Sequence, residues 1–251
     1  AFQRRRQNNM PGKNYSNTRP IEKIVVMGCS FSRPGQSGID SVWSHYLEKK
    51  LQIPVENLTW ASGGSNGQIL RTISEYIWNH APKNIGFIIQ WTTIDRQEFC
   101  DEEEEWYTIR QMNTKDGKSL AENIKLKIDK IKESQAYTYS ESTYFWQFLQ
   151  QILSLDNIMR QNNLQYFQTY CIGTVLKDFL LHNKRIYFTR FHKQITKTIQ
   201  KTNWFDNNIL RADLSNKGFP TVSKDDPHFN SNGHKRISEI FGSFIEKEGW
   251  L

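Results

Sequence analysis

Four consecutive apolar residues, Ile-Val-Val-Met at positions 24–27, are followed at once by Gly28 and by small polar residues. A short, continuous apolar run of this kind is typical of a strand buried on both faces in a parallel sheet. Such a strand delivers the next turn to the carboxyl edge of the sheet, where open α/β sheets place their sites. Because Gly28 permits a tight turn, Ser30 is predicted to present its hydroxyl to a cleft there. The alternative is an ordinary strand followed by a Ser/Gly turn.

Strand-like and helix-like segments alternate in the first part of the chain. Apolar residues recur at helical spacing over 43–51 and 69–77, whereas residues 56–61 and 85–91 have the composition of strands. The predicted helix caps are Asp40 or Ser41 for the first helix and Ser65 or Asn66 for the second. This alternation implies right-handed βαβ crossovers. We therefore expect an α/β protein, a three-layer α/β/α sandwich with a parallel, flavodoxin-like sheet of about four to five strands.

The rest of the chain predicts a single domain over residues 21–251. Apolar residues over 145–159 indicate a long helix, residues 165–172 a fourth strand, and residues 237–244 a closing helix. A polar insertion interrupts this pattern at about 97–143. We expect it to cover one rim of the sheet, as a lid.

Basic residues are concentrated at the start of the chain. Residues 1–20 carry five basic side chains and no acid, so the remainder keeps only +2 of the formal charge of +7. With so few apolar residues this segment is predicted to be a flexible arm. The charge distribution argues against nucleic-acid binding by the body, whereas the arm would dock on nucleic acid or on an assembly partner through Arg4, Arg5 and Arg6.

Cysteine content and hydropathy indicate the compartment. Cys29, Cys100 and Cys171 are widely spaced and odd in number, which argues against a disulfide framework or a zinc site. No apolar run approaches the roughly 18 residues that span a bilayer, and the N-terminus lacks the apolar core of a secretion signal. We expect a cytoplasmic or virion-associated protein that does not bind membranes. The consecutive carboxylates at 101–105 do not converge on one ion, so no metal site is predicted.

A second polar segment, at residues 225–234, contains the groups that an activated serine needs. A free hydroxyl is barely nucleophilic near neutral pH, and an adjacent base activates it. His228 is a candidate base and Asp225 a candidate acid to orient it, three positions apart on one loop. Asp226 is the alternative acid, and an ordinary loop histidine is the alternative interpretation of His228.

The motifs in this order resemble those of the SGNH or GDSL hydrolase superfamily. Residues 28–32, Gly-Cys-Ser-Phe-Ser, are similar to the first family motif, and residues 225–228, Asp-Asp-Pro-His, to its last one, which is followed by the Gly-His pair at 233–234. Gly63 or Gly64 matches the second motif. The resemblance covers residues of about 22–100 and 220–245. The amino-acid sequence around the first motif also resembles that of hydrolase-like proteins of bacteriophages and other viruses.

The resemblance implies a serine ester hydrolase without metal or cofactor. Ser30 would attack an ester carbonyl, His228 would take and return the proton, and Asp225 would hold the imidazole tautomer. His234, at the start of the final helix, is assigned a structural role. Cys29 stands where the family has Asp, a residue that supports the loop and takes no part in the chemistry.

The family's oxyanion hole is only partly matched. The resemblance implies two backbone N–H donors, from Ser30 and from Gly64 or Gly63. The family's third donor, an Asn after the third strand, is replaced here by Thr92-Thr93. Thr93 or Thr92 would substitute through its hydroxyl, or Asn66 would reach in from the neighbouring loop. Losing one donor costs about 2.7–4 kcal/mol of the roughly 8–23 kcal/mol that enzymes supply, so a slower or altered hydrolase is expected before an inactive one.

Two hypotheses from different classes follow. The first is an esterase or carbohydrate deacetylase acting on a small ester or an acetylated sugar. The second is an inactive or weakly active structural component of a virion or other large assembly, anchored by the basic arm. The missing Asn and the arm favour the second, whereas the serine, histidine and acid motifs favour the first.

Overall fold

The computed structural model of the protein describes residues 20–35, 41–59, 64–94, 96–100, 106–110, 129–130, 133, 141–170, 202–205 and 228–251. The strands are β1 (Lys23–Met27), β2 (Val55–Asn57), β3 (Ile85–Trp91), β4 (Arg96–Cys100), β5 (Trp106–Arg110) and β6 (Gln165–Tyr170). The α-helices are α1 (Trp43–Leu51), α2 (Asn66–His80), α3 (Glu141–Gln161) and α4 (Ser231–Lys247), and a 3₁₀ turn spans Ser30–Ser32.

The main sheet has four parallel strands in the order β2-β1-β3-β6. Ile24 lies beside Gly86 of β3, which in turn lies beside Gln165 of β6. Beyond β6, Phe205 N donates to Gln168 O at 2.7 Å, so residues 202–205 add a single bridge at that edge. The predicted parallel α/β architecture is confirmed.

The sheet is covered by helices on both faces. Alternate residues of β1 point to opposite sides, as the strand period of two requires. Val25 and Met27 pack with α2 and α3, and Ile24 and Val26 pack with α1 and α4. All four are fully buried, and burying such a side chain stabilises a fold by about 1.5–3 kcal/mol. This two-sided burial is the physical reason for the uninterrupted apolar run.

Of the two predicted helix N-caps, one is confirmed and the other is wrong. Ser65 caps α2 by accepting from Gln68 N at 3.0 Å, as predicted. The first helix begins at Trp43, after Val42 and without a side-chain cap, so the predicted cap at Asp40 or Ser41 is wrong. Packing replaces the cap there, because the Trp43 side chain is fully buried.

Strand and helix boundaries differ modestly from the predicted ones. The second strand ends at Asn57, not at position 61, because the Asn57 side chain accepts from Thr59 N at 3.0 Å and turns the chain. The third strand has the predicted bounds. The closing helix α4 is longer than expected, because Asn230 caps it by accepting from Asn232 N and Gly233 N.

An antiparallel hairpin that the sequence did not predict follows β3 directly. Strands β4 and β5 form it, with Arg96 paired to Arg110. It opens the region predicted as an insertion and packs against α2. Among the described helices, none is long and apolar enough to cross a membrane.

Candidate active site

Ser30 lies in the 3₁₀ turn at the carboxyl end of β1. Gly28, between the strand and this turn, is closely packed. A Cβ atom at position 28 would lie 2.5 Å from Ser32 Oγ, closer than real Cβ atoms approach, and 3.2 Å from Gln90 Cβ, which is also tight. Glycine is therefore required at this position by close packing of the turn against β3.

Buried hydrogen bonds fix this turn to three other elements. Ser32 Oγ donates to Gln90 Oε1 of β3 and accepts from Trp43 Nε1 of α1 at 3.2 Å. Asn57 Nδ2 of β2 donates to Ser32 O at 2.7 Å. Because Ser32 and Gln90 are almost completely buried, these bonds are protected from water. Ser30 is thus carried on a rigid support, and the sequence analysis predicted no supporting role for Ser32, Gln90, Trp43 or Asn57.

His228 meets Ser30 across the chain. His228 Nε2 lies 2.9 Å from Ser30 Oγ, although the two residues are 198 positions apart. With the ring proton on Nδ1, Nε2 would accept the serine proton. The predicted partners of that second nitrogen, Asp225 and its alternative Asp226, lie outside the described residues, so their role stays a prediction.

Aromatic packing holds the histidine against the serine turn. The ring centroids of Phe31 and His228 are 4.3 Å apart, and Phe229 packs edge-on against Phe31 at 5.9 Å. The first turn of α4 makes room for this, because a Cβ at Gly233 would lie 2.7 Å from Phe229 Cβ. The Gly233-His234 pair thus begins the helix that supports the histidine.

His234 itself is buried in the first turn of α4. Burial and the neighbouring charge of His228 lower the pKa of His234 to about 4. Within the described part of the chain its Nδ1 has no hydrogen-bond partner. Since His234 stays neutral near neutral pH, it adds no positive charge beside His228.

The candidate oxyanion residues gather at the ends of β3 and of the loop before α2. Asn66 Oδ1 accepts from Thr92 N at 2.8 Å, and Asn66 Nδ2 donates to Thr92 O at 3.2 Å and to Thr93 O at 3.4 Å. Asn66 therefore joins α2 to β3 and directs its amide at backbone groups. Gly64 is buried beside them, whereas Gly63 lies outside the described residues.

Among the described residues, Thr92 has unused hydrogen-bonding capacity at this point, as has Gln68, whose unpaired Oε1 lies beside Gly64. The Thr92 side chain is fully buried, and its Oγ1 has no partner among the described residues. Buried hydroxyls are normally paired, so an unpaired one at the position of the family's Asn merits a functional explanation. Thr93, the other predicted substitute, is half-buried.

A polar cleft of about 420 Å³ lies further along the same edge, between α2, β4 and α3. Within it, Glu98 pairs with Arg71, with 3.3 Å between Oε2 and Nη2. Burial raises the pKa of Glu98, against the opposing effects of the Arg71 charge and a hydrogen bond from Ser65. Across the described residues, no three His, Cys, Asp or Glu side chains are placed to hold a metal ion.

Comparison with known proteins supports the fold. No protein-family model matches the chain, and no curated protein matches it. Among solved structures, the acetylxylan esterase Axe2 from Geobacillus stearothermophilus is similar, with a TM-score of 0.53 at 14% identity, covering 94% of this chain and 99% of that one. The esterase EstA from Pseudoalteromonas sp. gives 0.51 at 13% identity, covering 90% and 97%.

A G-D-S-L family protein from Desulfitobacterium hafniense gives a TM-score of 0.49 at 15% identity, covering 88% of this chain and 98% of that one. At such identities the comparisons bear on the fold alone. The chain has the α/β fold of SGNH hydrolases, with a parallel four-stranded sheet between helices.

Proposed function

We propose that the protein is a serine ester hydrolase in which Ser30 is the nucleophile and His228 the general base. The observation that carries this proposal is the 2.9 Å separation of Ser30 Oγ and His228 Nε2. Activation of a hydroxyl requires a base within hydrogen-bond reach of it. Here other residues hold the Ser30 turn in place, so that Ser30 and His228 meet at this distance. The similarity of the fold to structures described as esterases adds weight.

The reaction would proceed in two steps. Ser30 Oγ attacks the ester carbonyl as His228 takes its proton, and the tetrahedral intermediate collapses when His228 returns that proton to the leaving alcohol. Water then attacks the acyl carbonyl as His228 takes its proton, and His228 returns that proton to Ser30 Oγ when the bond between Oγ and the acyl carbon breaks and the acid leaves. In this scheme Asp225 orients the imidazole, and the N–H groups of Ser30 and of Gly64 or Gly63 bind the oxyanion. Thr92 or Thr93 is the third donor, because the Asn66 amide already donates to the backbone oxygens of those two residues.

The substrate class that we favour is a small ester or an acetylated carbohydrate. Axe2 is described as an acetylxylan esterase, and EstA as an esterase. No cofactor enters the scheme, because a serine, a histidine and an acid suffice for ester hydrolysis.

A fluorophosphonate probe tests the proposal directly. We expect the wild-type protein to be labelled and Ser30→Ala to be unlabelled. Ser74→Ala is the matched control, because Ser74 lies on α2 and donates only to Leu70 O of its own helix, at 2.7 Å. Labelling that persists in Ser30→Ala, or a folded wild-type protein that is not labelled, would contradict the proposal.

The assembly hypothesis remains a separate prediction. It depends on residues 1–20, and Arg4, Arg5 and Arg6 all lie outside the described residues. Deleting this arm should abolish association with a particle or nucleic acid. Unchanged association would remove the hypothesis.

A further inference from the structure

The polar cleft described above has a composition that selects a class of ligand. Among its described lining residues, Leu70 alone has an apolar side chain. Amide and hydroxyl side chains dominate, including Gln147, Gln151 and Ser154 of α3 and Ser65 of α2. Ligand sites are usually mostly apolar with a few polar groups, so a cleft with the reverse composition does not suit an acyl chain.

The charged residues of the cleft lining also bear on the class of ligand. They are Arg96 and Glu98, and the Glu98 carboxylate is ion-paired with Arg71. Amide and hydroxyl side chains outnumber the charged ones in the lining, which favours an uncharged ligand. Each amide side chain offers both donors and an acceptor, which matches hydroxyl groups that also do both. A neutral, polyhydroxylated molecule fits this pattern.

The polar face of α3 lines one side of the cleft. Gln147, Gln150, Gln151 and Ser154 recur at the spacing that puts residues on one helix face. The apolar residues of the same helix, such as Phe148 and Ile152, are buried in the core. The cleft is therefore formed where the polar face of α3 meets the hairpin strand β4.

The cleft shares the carboxyl edge of the sheet with the candidate site. Its lining residues Ser65 and Gly67 flank Asn66, whose amide bonds to the backbone at Thr92. Strand β3, which ends there, is hydrogen-bonded to β1, the strand that leads to Ser30. Ligand in the cleft would thus lie beside the candidate oxyanion residues.

We infer that this cleft binds a neutral oligosaccharide. That the sugar is the alcohol portion of the substrate ester rests on the proposed function, whereas binding of the sugar to the cleft does not depend on it. The cleft volume of about 420 Å³ is within the roughly 300–1,000 Å³ of small-molecule sites.

The test is calorimetric titration of the Ser30→Ala protein with xylotetraose, cellotetraose and tri-N-acetylchitotriose. We expect at least one of them to bind. The double variant Gln147→Leu/Gln151→Leu should weaken that binding about tenfold, equivalent to about 1.4 kcal/mol. Gln161→Leu is the matched control, since Gln161 is an exposed residue at the far end of α3, and it should leave the affinity unchanged.

A second variant protects the test against misfolding. Ser154 is exposed at the cleft, so Ser154→Trp should fill the space without disturbing the core, and it should also weaken binding. In the protein with Ser30 intact, both cleft variants should raise KM for the acetylated oligosaccharide, whereas Gln161→Leu should leave KM and the turnover of p-nitrophenyl acetate unchanged.

The outcomes separate the two proposals. Binding of a sugar to a protein whose Ser30 is not labelled by fluorophosphonate would sustain the cleft and refute the hydrolase. Labelling of Ser30 with no binding of any of the three sugars would overturn the cleft assignment. So would an affinity that is the same in the double variant, in Ser154→Trp and in Gln161→Leu.

Discussion

The serine turn and the end of β3 lie on neighbouring strands and are built in opposite ways. Around Ser30, the polar groups of Ser32 that the turn buries are all paired: Oγ with Gln90 and Trp43, the carbonyl oxygen with Asn57, and the backbone N–H with Cys29 O. At the end of β3, the buried Thr92 hydroxyl has no partner within the described residues. The support of Ser30 is thus fully hydrogen-bonded, whereas the end of β3 keeps a buried hydroxyl whose hydrogen-bonding capacity is unused by the described residues.

The largest expected effect is at the nucleophile and its base. We expect Ser30→Ala and His228→Ala each to lower kcat on the order of 10⁶-fold, and the double variant to be no worse than either, because the pair acts as a unit. Hydrolysis of p-nitrophenyl acetate measures this, with Ser74→Ala as control. Additive losses would show that the two residues act independently.

The buried imidazole beside the base sets the pH dependence of stability. Because the pKa of His234 is lowered to about 4 in the folded state, the unfolded chain binds more protons between that value and its ordinary pKa near 6.5. Stability should be constant above about pH 6.5 on this account and decrease towards about pH 4, by up to about 3 kcal/mol.

Urea unfolding at a series of pH values measures the His234 effect. His234→Gln, which does not titrate, is the comparison and should flatten the slope in this interval. An equal slope in the two proteins would show that other groups are responsible.

Substitution of Thr92, whose buried hydroxyl is unpaired among the described residues, tests the second region compared above, the end of β3. Thr92→Val keeps the side-chain shape and removes the hydroxyl, so the free energy of unfolding should be unchanged or raised. If this hydroxyl supplies the third oxyanion bond, kcat should decrease about 10²-fold. We expect a smaller loss in Thr93→Val, and the reverse order would give that role to Thr93.

The parts of the fold that could be predicted from the sequence are those that leave a local pattern in it. Apolar runs buried on both faces are visible as runs, so β1, β3 and the α/β class were predicted correctly. The hairpin β4-β5 was missed, because its first strand, Arg-Gln-Glu-Phe-Cys, is mostly polar and the acidic segment 101–105 separates it from the second. The composition of residues 96–105 indicates a solvated loop, and the pairing of β4 with β5 overrides it.

The candidate site divides in the same way. Ser30 and His228 were predicted as site residues because each lies in a short motif, and the structure brings their side chains within 2.9 Å of each other. Ser32, Gln90 and Trp43 were assigned no role, because a network of polar groups from three distant elements leaves no periodic signal in the sequence. Asn66 was considered as an oxyanion donor, and only the structure places its amide on the backbone of Thr92 and Thr93.

The smallest expected effect tests how tightly the serine turn is packed. Gly28→Ala would place a methyl group 2.5 Å from Ser32 Oγ and 3.2 Å from Gln90 Cβ, both of which are held in the core. Overpacking of this kind costs about 1–3 kcal/mol, and displacement of Ser32 should also lower kcat.

Gly242→Ala is the matched control for this substitution. Its added methyl would meet the end of the Lys50 side chain, at 2.3 Å from Cε, and that flexible chain can move aside. Because alanine is the better helix former, by about 0.8–1.0 kcal/mol, this control should stabilise α4 slightly. Chemical denaturation of both variants measures the difference. Equal stabilities would mean that the turn yields as easily as a surface lysine, and the rigid support assigned to Ser30 would then have to come from elsewhere.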